Sequence, residues 1–225
     1  YEQALTTLML SRGTASASTA SQLANKMIND EYQFKGTYRV PVSARVNADD
    51  VDAGLKSALG SVRDQDHAVA PGIIVDTDTT HAGAAATRNR GLAEVTTEYV
   101  AFLDDDDVLY PNHLRCHAAI AENADVIYSF CDVYGRSDWS PNKLFNAEML
   151  RQRNFIPATV SARADVLREV RGFRPSSECE YGWEDWDLWL RLLDSGARFV
   201  CAPEITWLYR FHGGNKTYRG EGDAT

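Results

Sequence analysis

At 225 residues, 44% of them apolar and 24% charged, the chain is long enough for one full core and too apolar for disorder. A formal charge of −9 excludes an extended nucleic-acid surface, which would need clustered Lys and Arg. No apolar run approaches the roughly 20 residues that cross a bilayer, and no signal peptide is visible; the first residue is Tyr1 rather than Met, so any leader would lie upstream.

Ala4 to Leu10 reads as a first strand and Ser18 to Glu31 as a helix with Leu23, Met27 and Ile28 on one face. Val40, Val42, Ala44 and Val46 alternate with polar residues, which predicts a second strand ending at Asn47-Ala48-Asp49-Asp50. A short helix over Ala53 to Val62 precedes a third strand, Gly72 to Val75, which ends at Asp76-Thr77-Asp78. Gly83 to Glu94 is helical and carries Arg88, Asn89 and Arg90; strand Glu98 to Leu103 then runs into Asp104-Asp105-Asp106-Asp107. Pro111 suits the first turn of a helix running to about Asn123, and Asp125 to Phe130 is again a strand.

Helices are expected at Phe145 to Arg153, at Ala164 to Val170 (ended by Gly172), and from Gly182 through Leu192. In the last of these Trp186, Trp189, Leu190 and Leu193 share a face, which reads as core, while Glu184 and Asp185 sit at the N-terminal end. Trp183 precedes that helix and could face a sugar. Strands at Arg198 to Cys201 and Ile205 to Phe211 are separated by Pro203. Strand-helix alternation of this kind predicts an α/β fold, with a Rossmann-like, mostly parallel central sheet flanked by helices. Cys116, Cys131, Cys179 and Cys201 form no CxxC pair, so free thiols in a reducing cytoplasm are expected.

Four adjacent carboxylates repel one another and raise each other's pKa, so they belong in bulk water or beside a cation. Here they follow a buried strand, where open α/β sheets bind ligands. Hard oxygen ligands suit Mg²⁺ or Mn²⁺ held together with substrate phosphates. The clusters Asp49-Asp50, Asp76/Asp78 and Asp104 to Asp107 would converge on one edge of a parallel sheet and describe a pocket for a metal-bridged ligand. An acidic turn that simply opens the next helix is the plain alternative for any one of them.

Gly83 to Gly91 (GAAATRNRG), Glu98 to Leu109 (EYVAFLDDDDVL), Asn154 to Phe173 and Trp183 to Leu192 (WEDWDLWLRL) resemble the inverting glycosyltransferases of family 2, which have the GT-A fold; Tyr209-Arg210-Phe211-His212 is similar to that family's C-terminal segment. The resemblance implies a single GT-A domain over 1–225, with a nucleotide-sugar donor half (1–110) and an acceptor half (111–225). It places the Asp-x-Asp motif on Asp104, Asp105 and Asp106. Asp106 and Asp104 would hold the metal, with His212 in reach of it. Asp49, Asp50, Arg88, Asp104 and Asp105 would contact the donor, and Asp107 would add charge or cap the next segment.

The family's Glu-Asp pair maps onto Glu184 and Asp185, with Asp185 as the base. Implied are Mn²⁺ or Mg²⁺, a nucleotide-sugar donor (UDP-sugar first, GDP- or dTDP-sugar otherwise) and a glycan, glycolipid or other hydroxyl acceptor. A cytoplasmic protein, at most peripheral at a membrane, would suit such substrates. The N-terminal part departs from the family's pattern: Leu10-Ser11-Arg12-Gly13 follows the first strand, and Asn47-Ala48-Asp49-Asp50 replaces Asp-Asp-Gly-Ser. Two rival readings stay open at this point, a non-catalytic nucleotide- or carbohydrate-binding module and a metal-dependent nucleotidyltransferase.

Overall fold

A computed structural model of the chain describes residues 5–11, 51–66, 73–75, 82–134, 140–180 and 183–210. The expected helix over 18–31, the strand over 40–46, and Asp49, Asp50, Asp76, Asp78 and His212 lie outside the described residues. Among the described residues seven strands form one sheet: β1 (Leu5–Ser11), β2 (Ile73–Val75), β3 (Tyr99–Asp104), β4 (Val108–Leu109), β5 (Val126–Tyr134), β6 (Ser161–Arg163) and β7 (Phe199–Arg210). Six α-helices accompany them among these residues: α1 (Val51–Arg63), α2 (Ala84–Glu94), α3 (His113–Ala118), α4 (Ala147–Gln152), α5 (Ala164–Glu169) and α6 (Glu184–Asp194).

The strand order is β2-β1-β3-β6-β5-β7-β4. The β2-β1-β3 part is parallel, as the alternation predicts, and β5 runs parallel to β7. Strand β6, however, is antiparallel to both β3 and β5, and β4 is antiparallel to β7, so the sheet is mixed. With only three residues, Ser161-Ala162-Arg163, β6 is too short to show a period in the sequence. Two other elements differ from expectation. Strand β7 runs unbroken through Pro203, because its register against β5 shifts between Ser129 and Cys131 and the irregularity absorbs the residue that cannot donate. Helix α3 stops at Ala118, and the single proton of the Tyr99 hydroxyl is shared between the carbonyls of Ala121 (2.5 Å) and Ala124 (2.8 Å), tying the following turn down to β3.

Strand β3 is buried on both faces, which explains why it reads as a continuous apolar run rather than an alternation. Val100 and Phe102 enter the larger core with Leu92 of α2, Leu167 of α5 and Trp189 of α6. Ala101 and Leu103 enter a second core with Ala58 and Val62 of α1, Leu114 of α3 and Trp207 of β7. Trp186 and Trp189 are core residues, and their indole N–H groups are satisfied by the carbonyls of Leu150 (2.7 Å) and Ile156 (2.9 Å). All four cysteines are free thiols.

Beneath α3 lies a buried polar chain. His117 Nδ1 sits 2.8 Å from Ser161 Oγ and its Nε2 3.1 Å from Ser129 Oγ; Ser129 Oγ is 2.6 Å from Thr206 Oγ1, which is 2.7 Å from His113 Nδ1. Burial pushes the His117 pKa down to about 3, and burial together with His117 holds His113 well below its ordinary range. An unfolded histidine takes up its proton near about 6.5. Below that pH the unfolded chain therefore binds more protons than the folded one, and stability drains away as pH falls from there toward about 3. The urea midpoint is expected to drop between pH 7 and pH 5, and His117→Gln to flatten that dependence. An equally steep fall in His117→Gln would locate the acid sensitivity elsewhere.

Candidate active site

Helix α2 starts at Gly83 (φ 87°), whose carbonyl accepts from the Thr87 N–H at 3.2 Å and the Thr87 hydroxyl at 3.0 Å. Arg88 then falls on the inward face and is 4% exposed. Its Nη2 donates to Asp104 Oδ1 at 2.7 Å and its Nη1 to Glu184 Oε1 at 3.2 Å. Burial alone would lower the Arg88 pKa, but Asp104 and Glu184 outweigh it and the guanidinium is held charged. The Phe173 ring lies 5.3 Å from the guanidinium carbon, within cation–π reach. Arg88 thus joins the end of β3 to the start of α6.

Phe173 is itself fixed. Asn89 accepts from the Phe173 N–H at 2.9 Å and donates to its carbonyl at 2.8 Å, while Arg191 donates to the carbonyls of Val170 (2.7 Å) and Gly172 (2.8 Å). Gly172 has φ 64°, and a Cβ there would run into the Asn89 side chain. These contacts account for Arg171-Gly172-Phe173 as a segment that aims Phe173 at Arg88.

The aspartate run is a turn in which the Asp107 N–H donates to the Asp104 carbonyl at 3.1 Å. Asp105 and Asp107 are buried, while Asp104 and Asp106 are partly exposed. Carboxylate oxygens of Asp104, Asp106 and Asp107 all lie within 4.8 Å of one another. Asp107 is not a cap for the following segment: its Oδ1 accepts from the Arg210 N–H at 3.1 Å, and burial with Asp106 and Asp104 raises its pKa well above the usual carboxylate range. The Arg210 side chain is buried beside this turn, and its Nε and Nη2 have no hydrogen-bond partner among the described residues. Burial lowers the Arg210 pKa against the opposing field of Asp106, Asp107 and Asp105. Sequence reasoning drew attention to His212 in this segment and passed over Arg210. The register of β4 against β7, Val108 with Leu208 and Leu109 with Trp207, is the structural feature that brings Arg210 back to the aspartates.

At the start of α6 the two acidic residues have different surroundings. Both oxygens of Glu184 are engaged, Oε1 by Arg88 and Oε2 by the Ser176 hydroxyl at 2.9 Å. Asp185 Oδ2 accepts from Asn154 Nδ2 at 3.0 Å and Oδ1 from the Trp186 N–H at 2.8 Å. Burial, and next the Glu184 carboxylate, push the Asp185 pKa up to about 6, with Arg88 opposing. A carboxylate of that pKa can accept a proton near neutrality. Arg88, Asp104, Glu184 and Asp185 are therefore brought together, and Asp105, Asp106 and Asp107 adjoin them along the turn. Ser176 and Asn154 belong to the cluster as well, although neither has a residue type that stands out in a sequence.

A family model described as "Glycosyl transferase family 2" matches residues 55–167. The chain is 27% identical over 140 residues to the Escherichia coli protein named UDP-Glc:alpha-D-GlcNAc-diphosphoundecaprenol beta-1,3-glucosyltransferase WfaP, covering 59% of this chain and 53% of that one. It is 32% identical over 139 residues to a pre-mycofactocin glycosyltransferase of Mycobacterium tuberculosis, covering 54% of this chain and 28% of the relative. The chain thus spans about half of the first relative and less of the second. Among solved structures, S. aureus TarS (residues 1-349) in complex with UDP-GlcNAc superposes with a TM-score of 0.58 at 15% identity, covering 97% of this chain and 61% of that one. This likeness shows the GT-A fold.

Removing Arg88 would leave Glu184 and Asp104 without their shared cation, Glu184 at 9% side-chain exposure. Breaking a buried pair in this way costs about 3–5 kcal/mol. Arg88→Ala is expected to lose stability on that scale in urea denaturation at pH 7. A loss under about 1 kcal/mol would show that Arg88 does not bridge the two elements.

Proposed function

The chain belongs to glycosyl transferase family 2, and on that premise we propose that it moves a sugar from a nucleotide sugar to an acceptor hydroxyl, with inversion at the anomeric carbon and with the help of a divalent cation. The observation that carries the reading is the pairing of Asp185, a carboxyl with a pKa near neutrality, with an aspartate turn tied to the same helix start through Arg88. Inverting transfer is a single displacement. The acceptor oxygen bonds to the anomeric carbon as the bond to the leaving diphosphate breaks, and the acceptor proton passes to a base on the opposite face of the sugar. Asp185 has the pKa for that proton. Glu184, with both oxygens engaged, is suited to holding Arg88 and the start of α6 in place.

Three carboxylates within 4.8 Å of one another are a hard-oxygen set that fits Mg²⁺ or Mn²⁺, with Asp104 and Asp106 accessible and Asp107 behind them. When bound, such an ion supplies positive charge to the departing diphosphate. Asp104 and Asp105 face the donor side of this proposal. Asp49 and Asp50 at the base or ribose, and His212 completing the metal set, remain part of it from the sequence alone. A UDP-sugar is the proposed donor class, supported by the name of the E. coli relative, and a glycan or glycolipid is the proposed acceptor on the same ground. No helix among the described residues is long and apolar enough to cross a membrane, so any approach to a lipid-linked acceptor would be peripheral as far as these residues go. We propose donor and acceptor halves in one domain, 1–110 and 111–225, with β3 contributing to the two cores that draw on residues of both halves.

Asp185→Asn keeps the side chain's size and removes its basicity. It is expected to leave metal-dependent UDP binding near normal while single-turnover transfer from UDP-glucose falls by about a hundredfold or more. Wild-type turnover should decline as pH drops through about 6, since Asp185 must be ionised to act. Near-normal transfer by Asp185→Asn would move the base elsewhere.

A complementary test addresses the cation. Asp106→Ala should remain folded and lose Mn²⁺-dependent UDP affinity by calorimetry. Unchanged affinity in the folded variant would remove the metal assignment.

A further inference from the structure

Asn154 lies just beyond α4 and opens the Asn154 to Phe173 segment, but its residue type alone assigns it no chemical role. Its side chain nevertheless makes two contacts that together fix its orientation. Oδ1 accepts from the Ile156 N–H at 3.3 Å, and Nδ2 donates to Asp185 Oδ2 at 3.0 Å. Since the amide oxygen faces a backbone N–H, the NH₂ end must face the carboxylate; the flipped amide would set N–H against N–H and oxygen against oxygen. The segment carrying Asn154 is itself anchored to α6. Trp189 donates to the Ile156 carbonyl at 2.9 Å and Trp186 to the Leu150 carbonyl at 2.7 Å, both from fully or nearly buried indoles. Asn154 is therefore held on a rigid support two residues from one of these anchors.

We propose that Asn154 is a positioning residue for the reaction: it orients the Asp185 carboxylate toward the acceptor and favours its ionised form. This rests on reading Asp185 as the base. A neutral donor to a carboxylate stabilises the charged state without adding a charge that would compete with substrate. The charged groups bearing on Asp185 are Glu184 on its own helix, which disfavours ionisation, and Arg88 from α2, which favours it. On the side of α4, Arg151 is committed to Asp194 at 2.6 Å, and the exposed Arg153 rests on Met149 Sδ at 3.5 Å. Asn154 is thus what the α4 side supplies to this carboxylate, and it acts in the same direction as Arg88.

The test is a ¹³C carboxyl titration of Asp185 by NMR, its signal assigned by its loss in Asp185→Asn, run beside the pH dependence of single-turnover transfer from UDP-glucose. Asn154→Ala removes both contacts. Asn154→Asp keeps an oxygen for the Ile156 N–H but replaces the donor with a like charge. The Asp185 midpoint is expected to rise by about half to one pH unit in Asn154→Ala and further in Asn154→Asp. The acidic limb of turnover should move with it, and UDP-glucose affinity should change less than about twofold. An Asp185 midpoint unmoved in both variants, or an Asn154→Asp variant that matches wild type while Asn154→Ala does not, would overturn the inference and reduce Asn154 to a brace for Ile156. A midpoint that moves while the turnover limb stays put would instead count against Asp185 as the base, and with it against Asn154 as part of the reaction.

Discussion

A single buried cation organises the site. Arg88, 4% exposed, is shared between the carboxylate that ends β3 and the one that opens α6. Arg88 and Glu184 are both buried, and neither would be tolerable without the other. A buried guanidinium without partners carries a desolvation penalty of several kcal/mol, and so does a buried carboxylate. Placed together they fix one another, and they fix the distance between two elements 80 residues apart in sequence. Packing then restricts the geometry further. Phe173 covers the guanidinium, Asn89 clamps the Phe173 backbone, and Gly172 leaves room for Asn89. Four sequence-distant segments are thus committed to the position of one side chain.

The sheet makes that commitment possible. Because β3 is buried on both faces, its carboxyl end is the first point along it where polar side chains meet solvent. Strand β6, antiparallel beside β3, turns the chain back so that α5 and the Gly172 turn lie against α2. The reversal that departs from a purely parallel expectation is therefore what delivers the Phe173 segment, and after it α6, to the end of β3.

Much of this was legible from residue types, and what escaped has physical reasons. Longer elements declare themselves, the helices α2 and α6 through residue pattern and β3 as a continuous apolar run, and Asp104, Glu184 and Asp185 stand at the ends of β3 and α6. Strand β6 and strand β4, three and two residues long, carry no period. Asp107 reads as added charge or a cap because its actual partner, the backbone N–H of Arg210, lies about a hundred residues away and arrives only through strand pairing. The bridging role of Arg88 is hidden for the same reason: its burial is a property of its partners. The contacts that Asn154 and Ser176 make with Asp185 and Glu184 are not legible in sequence, since short polar residues in loops usually serve the backbone.

The two carboxylates at the head of α6 show how one helix start can hold different chemistry at adjacent positions. Glu184 is bound by a cation and a hydroxyl and is committed to structure. Asp185, one residue on, feels the burial and Glu184's negative charge, and its pKa is pushed up to about 6. Each depends on the other. Without Glu184 there would be no anchor for Arg88 on this side and less electrostatic pressure on Asp185. Without Arg88, whose charge opposes that pressure, Asp185 would rise further and spend more of its time protonated near neutrality, where it could accept nothing. The Arg88 bridge is therefore more than scaffolding. It sets how far apart the aspartate turn and the helix start lie, and it limits how basic the second carboxylate becomes, so the geometry and the acid–base poise of the site are adjusted by the same side chain.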